Sequence, residues 1–191
     1  MENNENIKNN KENFYVFLDF DGVLNDFLTV PGLHKIGGFF VKNTDSNTFN
    51  KESIQAVNYL LKALETKYNV KLVLSSFWRL NFEKAKSVLK NNGLEYDGEI
   101  GRTPKLKGKK RAIEILRYLA EHEDRNVTQN FLTIDDKGHL PKYFKDQNSI
   151  KTNIINGSLT MSDILNYLDK YQTEVAEKNP LKDEYGFEQE M

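Results

Sequence analysis

Asp19 and Asp21 stand two residues apart in the run Asp-Phe-Asp-Gly-Val-Leu. As a chain leaves a strand, carboxylates at that spacing can both turn toward one site, and Gly22 lets the backbone bend away behind them. Two carboxylates held so close resist joint ionisation, and a bound cation or a shared proton relieves the repulsion. A second acidic pair, Asp135 and Asp136, follows the apolar run Phe-Leu-Thr-Ile and would complete an oxygen-rich site. Hard oxygen ligands in a chain without cysteine favour Mg²⁺ over zinc. A cation there would also screen an anionic group attacking an anionic phosphate. One Asp-x-Asp alone reads as loop residues or helix caps. Asp-x-Asp-Gly joined to Asp-Asp, each ending an apolar run, reads as a site for metal-assisted phosphoryl chemistry.

Other residues could serve the same site. Ser75 and Ser76 follow the run Val-Lys-Leu-Val-Leu, where a hydroxyl and a free amide can hydrogen-bond a phosphoryl oxygen. Ser76 is the preferred ligand, because Ser75 directly follows the apolar run and can point into the sheet. Arg102, Lys105, Lys107, Lys109, Lys110 and Arg111 crowd one short stretch. Positive charge is disfavoured at a helix N-terminus, so its placement there points to a use. One of these cations can offset the acids and the phosphoryl group. The others can hold a polyanionic backbone. Trp78 reads first as core packing and second as a stacking platform. Arg79 either contacts phosphate or pairs with a surface acid. His34, in a Gly-rich segment, receives no role.

The elements that must position these groups follow from periodicity. Residues 14–18, 70–74 and 131–134 are short apolar runs that read as buried strands, each ending in polar residues. Helical spacing predicts a helix over 51–68 with Asn50 as its cap, another over 80–91 ended by Gly93, and a third over 109–121. The third would present Ala112, Ile113, Leu116, Leu119 and Ala120 inward. Residues 149–155 suggest a further strand, and Ser162 would cap a last helix carrying Ile164, Leu165 and Leu168. Strands alternating with helices imply a parallel sheet covered on both faces, which binds ligands at the carboxyl ends of its strands. Those ends read Asp-Phe-Asp-Gly, Ser-Ser-Phe-Trp-Arg and Ile-Asp-Asp.

Composition sets the outer limits. At 191 residues the chain suits one domain. Residues 1–13 are mostly Asn, Glu and Lys and are expected to form a disordered tail; residues 173–191 are expected to be loose, leaving a domain over 14–172. The net charge of −1 gives no global field toward nucleic acid or membrane. No apolar run approaches the roughly 20 residues that span a bilayer, and no signal-peptide stretch is present. With no cysteine, the expected location is cytoplasmic.

DFDGVLND resembles the first motif of the haloacid dehalogenase (HAD) superfamily. The strand ending at the serines resembles its second motif, the basic stretch its third, and Thr-Ile-Asp-Asp its fourth. The finer pattern of SSFWR, GRTP, RAIEI followed by Tyr118-Leu119, and IDD is similar to the HAD-like domain of Swiss Army Knife RNA repair proteins, over about residues 14–168. Phe77 stands where that second motif commonly has a small residue, which leaves the choice between Ser75 and Ser76 open. The resemblance implies a three-layer Rossmann-like core and phosphoaspartyl chemistry. Asp19 would be nucleophile and Mg²⁺ ligand. Asp21 would be the acid/base and would bind the metal through its backbone carbonyl. Asp135 and Asp136 would hold the metal, and Arg111 or a neighbouring lysine would be the third motif. Residues 23–50 leave room for a flap at most, so the site should be open enough for nucleic-acid ends. A small-molecule phosphatase and a module that binds phosphorylated ends without hydrolysis are the competing readings.

Overall fold

The computed structural model describes residues 11–25, 33–36, 39–42, 49–122, 130–137, 140–152 and 158–178. In chain order the elements are β1 (Asn13–Leu18), β2 (Leu33–Ile36), β3 (Phe39–Lys42), α1 (Lys51–Glu65), β4 (Asn69–Leu74), a 3₁₀ turn (Phe77–Asn81), α2 (Phe82–Asn91) and β5 (Gly101–Arg102). There follow α3 (Arg111–His122), β6 (Phe131–Asp135), β7 (Ser149–Lys151), α4 (Met161–Tyr171) and α5 (Thr173–Lys178). Five strands form one sheet in the order β5-β4-β1-β6-β7, and all its pairings are parallel. The fold is therefore the expected Rossmann-like α/β architecture with helices on both faces. β2 and β3 pair antiparallel within the segment expected to form a flap, setting His34 opposite Val41.

Side-chain alternation along β1 divides the core. Phe14, Val16 and Leu18 join the larger cluster, with residues of α1, α2, α4 and α5. Tyr15 and Phe17 face the other way, against Ala112, Ile115, Tyr118 and Leu119 of α3. α1 buries Ile54, Val57, Leu60, Leu61 and Leu64 as its spacing requires, and the Asn50 side chain accepts from Glu52 N. Each such fully buried aliphatic contributes roughly 1.5–3 kcal/mol relative to an exposed one.

Four expectations change. On α3, Ile113 and Leu116 are 37% and 42% exposed, whereas Glu114, Ile115 and Tyr118 are buried. Polar bonds made by Arg111 and Glu114 turn that stripe toward the sheet, and apolar spacing carries no trace of such bonds. Helix α4 is capped by Thr160, not Ser162, through a capping box with Asp163. The segment expected to be loose from Thr173 begins as α5, which buries Val175. β5, two residues long, was not foreseen and pairs with the end of β4. Most of the expected N-terminal tail lies outside the described residues, as do residues 153–157 of the expected last strand.

Phe17 is fully buried, with its ring centroid 5.7 Å from that of Tyr118 and 6.2 Å from that of Phe131. Phe17→Ala should therefore cost about 3–5 kcal/mol of unfolding free energy, read from the urea midpoint at unchanged m-value. A loss under about 1 kcal/mol would contradict the packing of α3 on β1.

Candidate active site

Backbone hydrogen bonds continue past the strand ends and bring the polar residues into one row. Asp19 N donates to Ile134 O at 3.0 Å, Ser75 N to Leu18 O at 3.0 Å, Thr103 N to Leu74 O at 3.0 Å and Thr152 N to Asp135 O at 3.2 Å. Asp19, Ser75 and Asp135 thus sit side by side at the carboxyl edge of the three central strands. Gly22 has φ +83°, a conformation that L side chains rarely adopt, and a Cβ there would lie 2.7 Å from Asp136 Cβ. Glycine is what allows the first acidic loop to lie against the second. The Thr152 hydroxyl donates to Gly22 O at 2.6 Å and holds that loop from β7.

Asp19, Asp135 and Asp136 each offer a carboxylate oxygen within 4.8 Å of the others. Asp19 and Asp135 are buried, and Arg111 Nη1 donates to Oδ2 of both. Burial works against the arginine's charge, but Asp19 and then Asp135 more than offset it, so its pKa lies above the ordinary value. Burial, then the Asp19 charge, raises the Asp135 pKa against the pull of Arg111. Phe20 N donates to Asp19 Oδ1 at 2.8 Å and Lys137 N to Asp135 Oδ1 at 2.8 Å, fixing both carboxylates. Asp136 Oδ1 is buried, has no hydrogen bond among the described residues and lies 3.1 Å from Lys137 Nζ. Three convergent carboxylates, one oxygen still lacking a hydrogen bond, are a donor set of the kind a hard divalent cation takes.

Asp21 stands apart from that cluster. Its Oδ1 accepts from Asn25 Nδ2 at 3.1 Å and its Oδ2 from Trp78 Nε1 at 3.3 Å. The Asn25 side chain also accepts from Gly22 N at 3.1 Å, so one buried amide sets both the turn and the carboxylate. The Trp78 ring packs on Phe20 and Phe49, as its core reading expects, while its N–H reaches the site. Sequence reasoning missed both roles. The signals available were an Asn four residues after Asp21, and the chain's one tryptophan just past the serines that follow β4.

Among the basic residues, Arg111 reaches the acids. Lys109 lies exposed in the turn before α3, and among the described residues it has no contact with the site carboxylates. Ser76 Oγ caps the 3₁₀ turn by accepting from Trp78 N at 3.4 Å, whereas Ser75 Oγ is buried with no described partner. Arg79 pairs with a buried acid in place of the surface acid expected. It is buried, pairs with buried Glu114 at 2.5 Å, and donates to the carbonyls of Ser75 and Ser76 at 2.8 and 2.7 Å. Glu114 Oε1 accepts in turn from Leu106 N at 2.9 Å. This pair ties the serine loop and the basic loop to α3. Glu114→Gln leaves the Arg79 charge buried with a weaker partner, so it should lower unfolding free energy by about 3–5 kcal/mol in urea titration. Stability within about 1 kcal/mol of the parent would show that the pair does not lock the loops.

No curated protein sequence matches the chain significantly. The family model for the HAD domain in Swiss Army Knife RNA repair proteins matches residues 15–163, well over half of the chain and the whole span from Tyr15 in β1 to Asp163 in α4. With its parallel sheet and its row of acids at the carboxyl edge, the chain belongs to the family of HAD domains found in Swiss Army Knife RNA repair proteins.

Proposed function

We propose that this protein is a Mg²⁺-dependent phosphatase that works through an aspartyl-phosphate intermediate on phosphorylated nucleic-acid ends. The observation that carries the reading is the convergence of Asp19, Asp135 and Asp136 with Arg111 at the carboxyl edge of the sheet. In this mechanism an Asp19 carboxylate oxygen attacks phosphorus, a new Asp–O–P bond forms, and the bond to the leaving oxygen breaks. Asp21 gives that oxygen its proton. Asp21 then takes a proton from water as the water attacks phosphorus, which releases inorganic phosphate and restores Asp19. Asn25 and Trp78 hold the Asp21 carboxylate for both transfers.

Asp19, Asp135 and Asp136, with the Asp21 carbonyl, would hold Mg²⁺. Bound there, the ion neutralises charge between the anionic nucleophile and the anionic phosphate. Arg111 supplies a fixed positive charge beside the same oxygens. Ser75 and Ser76 hydrogen-bond the phosphoryl group, and the buried Ser75 hydroxyl, without a hydrogen-bond partner among the described residues, supports Ser75 as the nearer ligand. The family's link to RNA repair supports nucleic-acid ends as substrate, and the cysteine-free composition supports a cytoplasmic setting. No described helix is long and apolar enough to cross a membrane.

Phosphate release from an aryl phosphate should require Mg²⁺ and stop with chelator. Asp19→Asn should abolish it, and Asp21→Asn should lower kcat by about 10²–10⁴-fold. Release that survives in Asp19→Asn would remove the nucleophile assignment. Trp78→Phe keeps the ring and removes the N–H, so kcat should fall several-fold with KM nearly constant. An unchanged kcat would show that the indole does not position Asp21.

A further inference from the structure

A cleft of about 700 Å³ opens beside β5, the edge strand of the sheet, between the start of α2 and the last turns of α3. That size falls within the roughly 300–1,000 Å³ of ligand sites. Arg79 lines the cleft and donates to the carbonyls of Ser75 and Ser76, so the cleft abuts the loop that carries the two serines. β5 lies two strands from β1, whose end carries Asp19, which sets a lateral distance of about 10 Å at ordinary strand spacing. Arg102 and Lys105 line the same cleft and are exposed. The Arg102 guanidinium lies 5.0 Å over the Phe82 ring, and among the described residues no carboxylate pairs with it. Phe82 is itself part of the lining, as are Tyr118 and His122, whose rings stack at 3.9 Å. Thr103 N donates to Leu74 O, so in the alternating pattern of a strand the Arg102 N–H and C=O face away from β4, toward the open edge of the sheet.

Exposed cations suit any anion, and aromatic side chains at a surface are ordinary. Here both line one cleft, with a strand's outward amide and carbonyl between them. Such a lining fits a ligand that joins negative charge to a flat ring bearing hydrogen-bonding groups. Unpaired bases stack on aromatic and guanidinium groups and are read along their polar edges, while the adjoining phosphates meet the cations. A peptide strand is the poorer guest, because two residues of edge offer too short a ladder. We propose that the β5 cleft is a nucleotide subsite, which takes an unpaired base next to the phosphorylated end while Arg102 and Lys105 contact the backbone phosphate beside it. The proposal rests on the nucleic-acid reading of the Asp19 site, and its test reads binding and contact without turnover.

The probe is a short fluorescein-labelled single-stranded RNA with 4-thiouridine next to a phosphate at its 3′ end or, in a parallel series, its 5′ end. Binding to Asp19→Asn protein in Mg²⁺ is followed by anisotropy, and the complex is then irradiated, digested and mapped by mass spectrometry. In at least one series the cross-links should fall on the peptides that carry Phe82, Arg102 or Tyr118. Adding Arg102→Glu should weaken binding about tenfold. Lys90→Glu makes the same change of charge at an exposed position outside the cleft and should weaken it less than about threefold. Urea midpoints show that both variants remain folded when binding is read. Cross-links confined to peptides outside the cleft would overturn the subsite, as would equal effects of the two substitutions or no measurable binding in either series. Phosphate release from an aryl ester with cross-links only outside the cleft would leave the proposed reaction standing and remove this inference. Cross-links in the cleft without release from any ester would do the reverse.

Discussion

The structure depends on how three buried or half-buried carboxylates are kept together at the edge of one sheet. Two like charges about 4 Å apart repel by several kcal/mol at the effective dielectric of a protein surface, and burial adds to the cost. Arg111 meets that cost by reaching from the first residue of α3 to Asp19 and Asp135 together. The bond fixes the rotation of the helix. Once Arg111 faces the strand ends, Ile115 and Tyr118 fall on the sheet, while Ile113 and Leu116 are left toward solvent. The packing of one whole face of the domain thus follows from an electrostatic requirement at its edge.

The Arg79–Glu114 pair extends the same logic by one helical turn. Glu114 is held in the protein by the guanidinium, and that guanidinium in turn fastens the carbonyls of the two serines. A buried pair of this kind is a poor source of net stability, since desolvation of both charges opposes their attraction. What it supplies is registry: the loop after β4, the loop before α3 and the helix itself share one polar anchor. The serine hydroxyls and the Arg111 guanidinium, which arrive from different strands and helices, are held in one frame around Asp19.

Much of this was legible in the residues. Apolar runs ending in acids placed β1 and β6, helical spacing placed α1, and Gly22 marked the turn that lets Asp136 approach. The parallel order followed from strands alternating with helices. What periodicity could not show was any place where a polar bond overrides it. Glu114 looks like a surface acid on a helical wheel, Arg79 like a phosphate contact, and Trp78 like simple packing. Each changes meaning only when a residue 35, 35 and 57 positions away, respectively, is known to lie beside it. The short strand β5 carried too few residues for any periodic signal, and Thr160 became the cap of α4 because the capping box with Asp163 fixes where that helix starts.

The most direct test of the account is the mass of the protein quenched in acid during incubation with a phosphorylated substrate and Mg²⁺. Acid preserves an acyl phosphate long enough for digestion and peptide mapping. The account predicts a peptide containing Asp19 that is heavier by one phosphoryl group, absent in Asp19→Asn and lost on treatment with hydroxylamine. A phosphoryl group found on any other residue, or turnover with no adduct trapped at any time, would contradict it.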